Sequence, residues 1–218
     1  MNSAAIGVSV HSGWGAVVAI AGRQGMEEVL LRRRVVIIDS KIAGSAQPYH
    51  YVAEKEISAA EKHLARSASV SERFAFESLT QLSSELGNIG FTPNAAVILL
   101  SSARPLPDLK AILASHALIH TAEGEFFRQA FRDAFEKLRI PVTGIRARDL
   151  DNSAVQAFGK AAPAIQKRID GMGRSIGTPW TKDEKTAALA AAIVLHRAES
   201  KDHAAHGSGT HRRTPNAR

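Results

Sequence analysis

The 218-residue chain contains no cysteine, so disulfide bridges, thiolate metal sites and a thiol nucleophile are excluded. It also lacks an apolar run of the roughly 18 residues that a membrane-spanning helix needs. Residues 1–10 have neither the charged start nor the long apolar stretch of a secretion signal. These features predict a cytoplasmic protein with no membrane partner.

The sequence lacks a glycine motif of the kind that binds nucleotide phosphates, because Gly171 and Gly173 have no strand before them. His11 and Ser12 suggest a base and a nucleophile. No strand-turn-helix elbow frames these two residues, however, and no aspartate partner is evident. The pattern therefore disfavours a serine hydrolase.

The chain carries 28 Lys and Arg residues against 21 Asp and Glu, a net charge of +7, which favours DNA or RNA as a partner. Five arginines are the best candidates for phosphate contacts: Arg32, Arg33, Arg34, Arg212 and Arg213. The first three could equally form a solvated strand edge. Trp14 and Trp180 could stack on bases, although such residues more often cover the edge of a core.

Hydrophobic content of 44% and charged content of 22% are typical of a globular domain. Apolar runs predict five strands, at residues 4–10, 16–21, 26–38, 95–100 and 141–145. Apolar spacing predicts helices at 53–64, 75–86, 108–114, 127–138, 153–170 and 182–197. Ser67–Ser71 is interpreted as a helix break, Thr92–Asn94 as a turn, and Pro163 as a kink or division.

Short links join the first three strands and predict antiparallel pairing, whereas helical crossovers place the last two strands parallel to the first. The expected fold class is α/β, with a mixed five-stranded sheet flanked by helices. Residues 1–198 form the single predicted domain. Residues 199–218 are polar and basic, and they are predicted to form a flexible tail.

This order of elements resembles the ribonuclease H-like fold, and two motifs are similar to RuvC-type Holliday-junction resolvases. The first motif is Ile6-Gly7-Val8-Ser9 followed by Gly13-Trp14-Gly15-Ala16-Val17-Val18. The second is Asp183-Glu184-Lys185-Thr186-Ala187-Ala188-Leu189-Ala190-Ala191-Ala192. The element order covers nearly the whole predicted domain, while the motifs cover short segments built from common residues.

The resemblance implies a two-metal nuclease in which Asp and Glu side chains hold Mg²⁺ or Mn²⁺. It places the catalytic positions of this chain at Ser9, Asp183 and Glu184. Ser9 stands where the family has its first acid, and the second acid falls on the fourth strand's end, at Ser101 and Ser102. The usual metal site is therefore expected to be degraded. Glu184 also has capping-box spacing to Thr181, which favours a structural role.

Three hypotheses follow for the function of the chain. The first is a nucleic-acid-associated binding or accessory module without the two-metal site. The second is a divergent Mg²⁺- or Mn²⁺-dependent nuclease or resolvase whose carboxylates have moved, with Asp183 or Glu184 acting beside Glu123 or Glu125. The third is a domain that binds a small molecule or a protein on the same scaffold.

His116, His120 and Glu123 have the i, i+4, i+7 spacing of metal ligands on one helical face. Thr121 and Gly124 argue against a continuous helix through this stretch. The sequence therefore favours a loop that enters the helix at about Ala122, with both histidines solvated.

Overall fold

The computed structural model describes residues 1–101 and 105–207. The strands are β1 (Asn2–His11), β2 (Trp14–Ala21), β3 (Glu28–Val36), β4 (Phe91–Leu100) and β5 (Val142–Arg146). The α-helices are α1 (Pro48–Val52), α2 (Ile57–Asn88), α3 (Leu109–Leu113), α4 (His116–Lys137), α5 (Leu150–Phe158), α6 (Ala162–Gly171), α7 (Gly173–Ile176) and α8 (Lys182–Gly207). Short 3-10 turns, Ala147–Asp149 and Gly159–Ala161, precede α5 and α6.

The strands form one mixed sheet in the order β3-β2-β1-β4-β5. β1 and β3 both pair antiparallel with β2, whereas β4 is parallel to β1 and β5 is parallel to β4. The predicted mixed sheet is therefore confirmed. Four strands, β1, β3, β4 and β5, end at the same edge of the sheet, and β2 begins there. This edge is the C-terminal edge of the sheet.

Helices cover both faces of the sheet. Side chains along β1 therefore alternate between two apolar layers, one on each face. Ile6 and Val8 join the layer formed with α2 and α4. Ala5 joins the layer formed with α5, α6 and α8. Both faces are therefore buried, which explains why β1 and β2 are apolar along most of their length.

Helix α2 runs unbroken through Ser67–Ser71, so the predicted break is wrong. Ser67 and Ser71 are buried within one continuous stripe at helical spacing. Their small side chains fill positions that a sequence pattern assigns to larger apolar residues. The two predicted helices are therefore halves of one helix.

The predicted turn at Thr92–Asn94 is also wrong, because these residues lie within β4. Pro93 pairs with Ala4 next to a register shift, and pairing with β5 begins only at Ala96. Pro93 therefore occupies a stretch with a neighbour on one side only, where its missing N–H costs little.

Helix α4 begins at His116, six residues before the predicted entry at Ala122. Gly124 does not interrupt it: a Cβ atom there would lie 3.0 Å from the Arg128 guanidinium, which covers this glycine. Thr121 donates its hydroxyl to the carbonyl of Ala117 one turn earlier, as Thr does inside helices. The interpretation of His116 and His120 as loop residues is therefore wrong.

The remaining predicted helix boundaries are partly confirmed. The stretch 153–170 is divided as expected, with Pro163 in the first turn of α6. The last helix, α8, continues to Gly207, ten residues beyond the predicted end at Arg197. The boundary between residues 198 and 199 stays a prediction, and Arg212 and Arg213 lie outside the described residues. None of the helices in the described ranges is both long and apolar enough to cross a membrane.

Candidate functional site

Helix α8 lies against the central strand β1 because small residues meet at the contact. A Cβ atom on Gly7 would lie 2.0 Å from the carbonyl oxygen of Ala187, which is fully buried. One helical turn before Ala187 is Asp183, and two residues after Gly7 is Ser9, on the same face of the strand. The close packing of Gly7 on Ala187 therefore brings Asp183 beside Ser9.

Asp183 is the carboxylate that faces the end of β1. The Ser9 hydroxyl donates to Asp183 Oδ1 at 3.2 Å. His11 Nε2 lies 3.0 Å from the same oxygen, in a close polar contact that is not aligned as a hydrogen bond. Ser9 is buried, while about one third of the Asp183 side chain is exposed (35%). The structure thus brings together two of the predicted catalytic residues, Ser9 and Asp183, and adds His11.

Glu184 is engaged at the start of α8. Its Oε2 accepts from the Thr181 backbone N–H at 2.7 Å and from the Thr181 hydroxyl at 2.9 Å, and the Glu184 N–H lies 3.3 Å from that hydroxyl. Its other oxygen is 3.6 Å from the Arg32 guanidinium. These contacts form the capping box that the sequence predicts.

The capping role of Glu184 predicts different stabilities for two substitutions of this residue. Glu184→Ala is expected to lower the free energy of unfolding by about 1 kcal/mol, because it removes the carboxylate that accepts from the Thr181 N–H and hydroxyl. Glu184→Gln is expected to retain most of that stability, since Gln serves at the same position of a capping box. Urea unfolding followed by circular dichroism measures both. Equal losses for the two variants would show that the charge of Glu184, rather than its hydrogen bonds, stabilises the helix.

A buried arginine occupies the C-terminal end of β4. Arg128 Nε donates to the Leu99 carbonyl at 3.2 Å, and Arg128 Nη2 donates to the Ser101 hydroxyl at 2.7 Å. Burial lowers the pKa of Arg128 from its ordinary value, and Glu125, 3.4 Å away, opposes that shift. The last pair between β1 and β4 is Val8 with Ile98. Ser9 and Leu99 are the next residues on the two strands. A guanidinium therefore sits next to the strand that carries Ser9. Ser102 lies outside the described residues.

Two of the three arginines on β3 make contacts within the protein. Arg32 donates to the Ile176 carbonyl at 3.2 Å and to the Pro179 carbonyl, and so ties β3 to the segment before α8. Arg33, on the opposite face, pairs with both carboxylate oxygens of Glu85 on α2, at 2.7 and 3.0 Å. Both side chains hold helices or loops onto the edge strand of the sheet.

Arg34 is the exposed member of the three, and it forms the outer layer of a stack. Its guanidinium lies 3.6 Å from the centroid of the Trp14 ring. On the other side, the His11 ring stacks on Trp14, with centroids 4.3 Å apart and planes 12° apart. This Arg34–Trp14–His11 stack connects the surface at the C-terminal edge to Asp183.

Trp180 has the ordinary structural role. It packs against the core layer of α8, and its indole N–H donates to the Ile169 carbonyl at 2.8 Å. The two tryptophans therefore differ, because only Trp14 carries an exposed cation on its ring.

The acids proposed for a relocated metal site are engaged elsewhere. Glu125 contacts Arg128 and Arg132. Glu123 accepts from the backbone N–H groups of Tyr49 and His50, at 2.9 and 3.0 Å, and is buried. In the described part of the chain, one group of three or more potential metal-ligating side chains lies close together, and it consists of His50, His116 and His120.

No family model matches the sequence, and no curated protein matches it. One solved structure of a Thermus thermophilus protein shares its architecture. RuvC in complex with Holliday junction substrate is 12% identical, with a TM-score of 0.50, over 91% of this chain and 96% of that one. A second RuvC structure gives 12% identity and a TM-score of 0.49, over 90% and 96% of the two chains. The chain has the ribonuclease H-like fold of RuvC.

Within this RuvC-like fold, sequence patterns did not identify the roles of Arg128 and His50. The apolar spacing of residues 127–138 predicts that Arg128 faces outward, and that prediction is wrong, because Arg128 is buried. His50 stands in a stretch that reads as a loop and forms the short helix α1. Pro48, at the start of α1, was the one sequence signal for this helix, since proline is frequent in a first helical turn.

Proposed function

We propose that the chain is a nucleic-acid-associated binding or accessory module built on the RuvC-like fold, without the two-metal centre. One observation carries this proposal: Asp183 is in contact with Ser9 and His11, while the Arg128 guanidinium occupies the end of the neighbouring strand. The C-terminal edge of the sheet, where such folds bind ligands, therefore carries one carboxylate, neutral hydroxyls and a guanidinium in place of a cluster of acids.

The residues at this edge do not fit a pair of magnesium ions. Each ion needs several oxygen ligands, and a metal pair needs a cluster of carboxylates. Asp183 contributes a single carboxylate, and Ser9 and Ser101 are neutral. Arg128 would in addition repel a divalent cation. This combination supports binding without metal-dependent cleavage.

Nucleic acid fits the same edge. The chain has a net charge of +7. The Arg34–Trp14–His11 stack offers a cation for phosphate and an aromatic surface at one place. The RuvC structure of similar fold contains a Holliday junction substrate. A four-way DNA junction is therefore the first ligand to test, followed by duplex DNA, single-stranded DNA and RNA.

Fluorescence anisotropy with a labelled four-way junction, at increasing salt, tests the proposal. We expect binding that weakens steeply with salt, and no cleavage on gels after incubation with Mg²⁺ or Mn²⁺. Cleavage that is lost in Asp183→Ala would contradict the proposal and support the nuclease alternative. Absence of binding to every nucleic acid at low salt would favour the third hypothesis, a small-molecule or protein ligand.

A single arginine provides a sharper test of the binding surface. Arg34→Ala is expected to reduce the slope of log affinity against log salt by about 0.9, the value for one phosphate contact on duplex DNA. Arg23→Ala is the matched control, because Arg23 is exposed in the β2–β3 turn at the opposite edge of the sheet. The control removes the same charge and should leave the slope nearly unchanged. Equal effects of the two substitutions would mean that net charge, rather than this edge, governs binding.

A further inference from the structure

We propose that His50, His116 and His120 form a Zn²⁺-binding site that fastens α1 to the start of α4. The ring centroids are 4.4 Å apart for His116 and His120, 4.7 Å for His50 and His120, and 5.4 Å for His50 and His116. One ring nitrogen from each residue lies within 4.8 Å of the other two. The site lies on α1 and the start of α4, whereas Asp183 lies on α8.

The helical spacing of the two residues on α4 creates half of the site. His116 and His120 are four residues apart in the first two turns, so their side chains lie on one face. Both are exposed, and their rings can turn towards a shared ion. Nitrogens bound to a tetrahedral Zn²⁺ are separated by about 3.4 Å, as Zn–N bonds of about 2.0–2.1 Å require. The three nitrogens therefore need only modest ring rotations.

Glu123 positions the third histidine. The carboxylate is buried, and its Oε1 accepts from the His50 backbone N–H at 3.0 Å and lies 3.2 Å from His50 Nδ1. His50 Nδ1 is itself buried and lacks an aligned hydrogen-bond partner. With Nδ1 directed at the carboxylate, Nε2 is the nitrogen left for a metal. A histidine held by a carboxylate in this way is the usual outer-shell arrangement of zinc sites.

The chemistry of the donors indicates the class of metal. Three neutral imidazoles suit Zn²⁺ and related transition metals, whereas Mg²⁺ and Ca²⁺ prefer oxygen ligands. Three protein ligands leave a fourth position open to water or another donor. The ion would connect α1, in the segment between β3 and α2, to α4.

Competition with a chromophoric zinc chelator measures binding by the metal-stripped full-length protein. We expect one Zn²⁺ per chain, with affinity lowered more than about 100-fold in His120→Ala, since losing an outer-shell partner alone costs about 10–100-fold. Glu123→Gln should fall within that smaller range, with circular dichroism confirming its fold. Co²⁺ should give the visible absorption of a tetrahedral site in the wild type and not in His120→Ala.

The C-terminal histidines provide the matched control. A variant in which His203, His206 and His211 are all changed to alanine must keep the tight site and its Co²⁺ spectrum. Loss of binding in that variant, or unchanged binding in both His116→Ala and His120→Ala, would overturn the proposal. Because His116 and His120 are exposed, their substitution should leave the fold intact.

Discussion

Replacing Gly7 by alanine is expected to lower the free energy of unfolding by about 3 kcal/mol or more. The new methyl group would lie 2.0 Å from the carbonyl oxygen of Ala187 and 2.8 Å from its carbonyl carbon. These are backbone atoms of α8, so no side-chain rotation relieves the contact. The helix must move away from a sheet that it buries along most of its length, and apolar packing on both sides of the contact is lost.

Gly87→Ala is the matched control for Gly7→Ala. Gly87 lies in the last turn of α2, and its added Cβ would meet only the Met1 side chain, at 3.8 Å. We expect stability to stay within about 0.5 kcal/mol of the wild type or to rise by up to about 1 kcal/mol, because alanine favours helix over glycine. Urea unfolding measures both variants. A similar small effect for Gly7→Ala would mean that α8 does not approach β1 as closely as described.

The Gly7 contact also bears on function. Movement of α8 would carry Asp183 away from Ser9, which its carboxylate contacts at 3.2 Å. The nucleic-acid binding that is proposed for the Arg34–Trp14–His11 stack should then weaken, because His11 loses its polar contact with Asp183. The geometry of the C-terminal edge therefore depends on the absence of a side chain at one position of β1.

The mixed sheet could be predicted from the sequence because its signals are local. The apolar runs on both sides of Gly13 mark the β1–β2 hairpin, and the helical crossovers between later strands require parallel pairing. The pairing of Ser9 with Asp183 came from the resemblance, since these residues are 174 positions apart. Neither periodicity nor spacing relates positions so distant in the chain.

The errors have a common physical cause. Ser67 and Ser71 appear as breakers because serine is usually exposed, yet here the close packing of α2 favours small side chains at buried positions. The histidine cluster was missed because its third member comes from α1, a five-residue helix without an apolar stripe. In both cases tertiary packing determines the outcome, and local propensity is too weak to oppose it.

Phe131→Ala is expected to lower the free energy of unfolding by about 3–5 kcal/mol, the usual effect of removing a fully buried phenylalanine. The ring lies directly over Gly15 of β2: a Cβ atom on Gly15 would be 2.8 Å from Phe131 Cζ and 2.9 Å from its Cε2. The glycine thus provides the depression in the sheet that receives the ring. Its replacement by alanine should by itself cost about 1–3 kcal/mol through overpacking.

The two substitutions should therefore compensate each other. In Phe131→Ala the space over Gly15 is empty, and the methyl group of Gly15→Ala fills part of it. The double variant is expected to be more stable than the sum of the single losses predicts, by more than about 1 kcal/mol. Phe131→Ala combined with Gly87→Ala is the control pair and should be additive within about 0.5 kcal/mol. Gly87 lines a surface cavity with Leu138, which lies just beyond the end of α4 and about two helical turns from Phe131. Additive losses for Gly15 and Phe131 would show that the ring and the glycine are not in contact, and that α4 is held on the sheet by other residues.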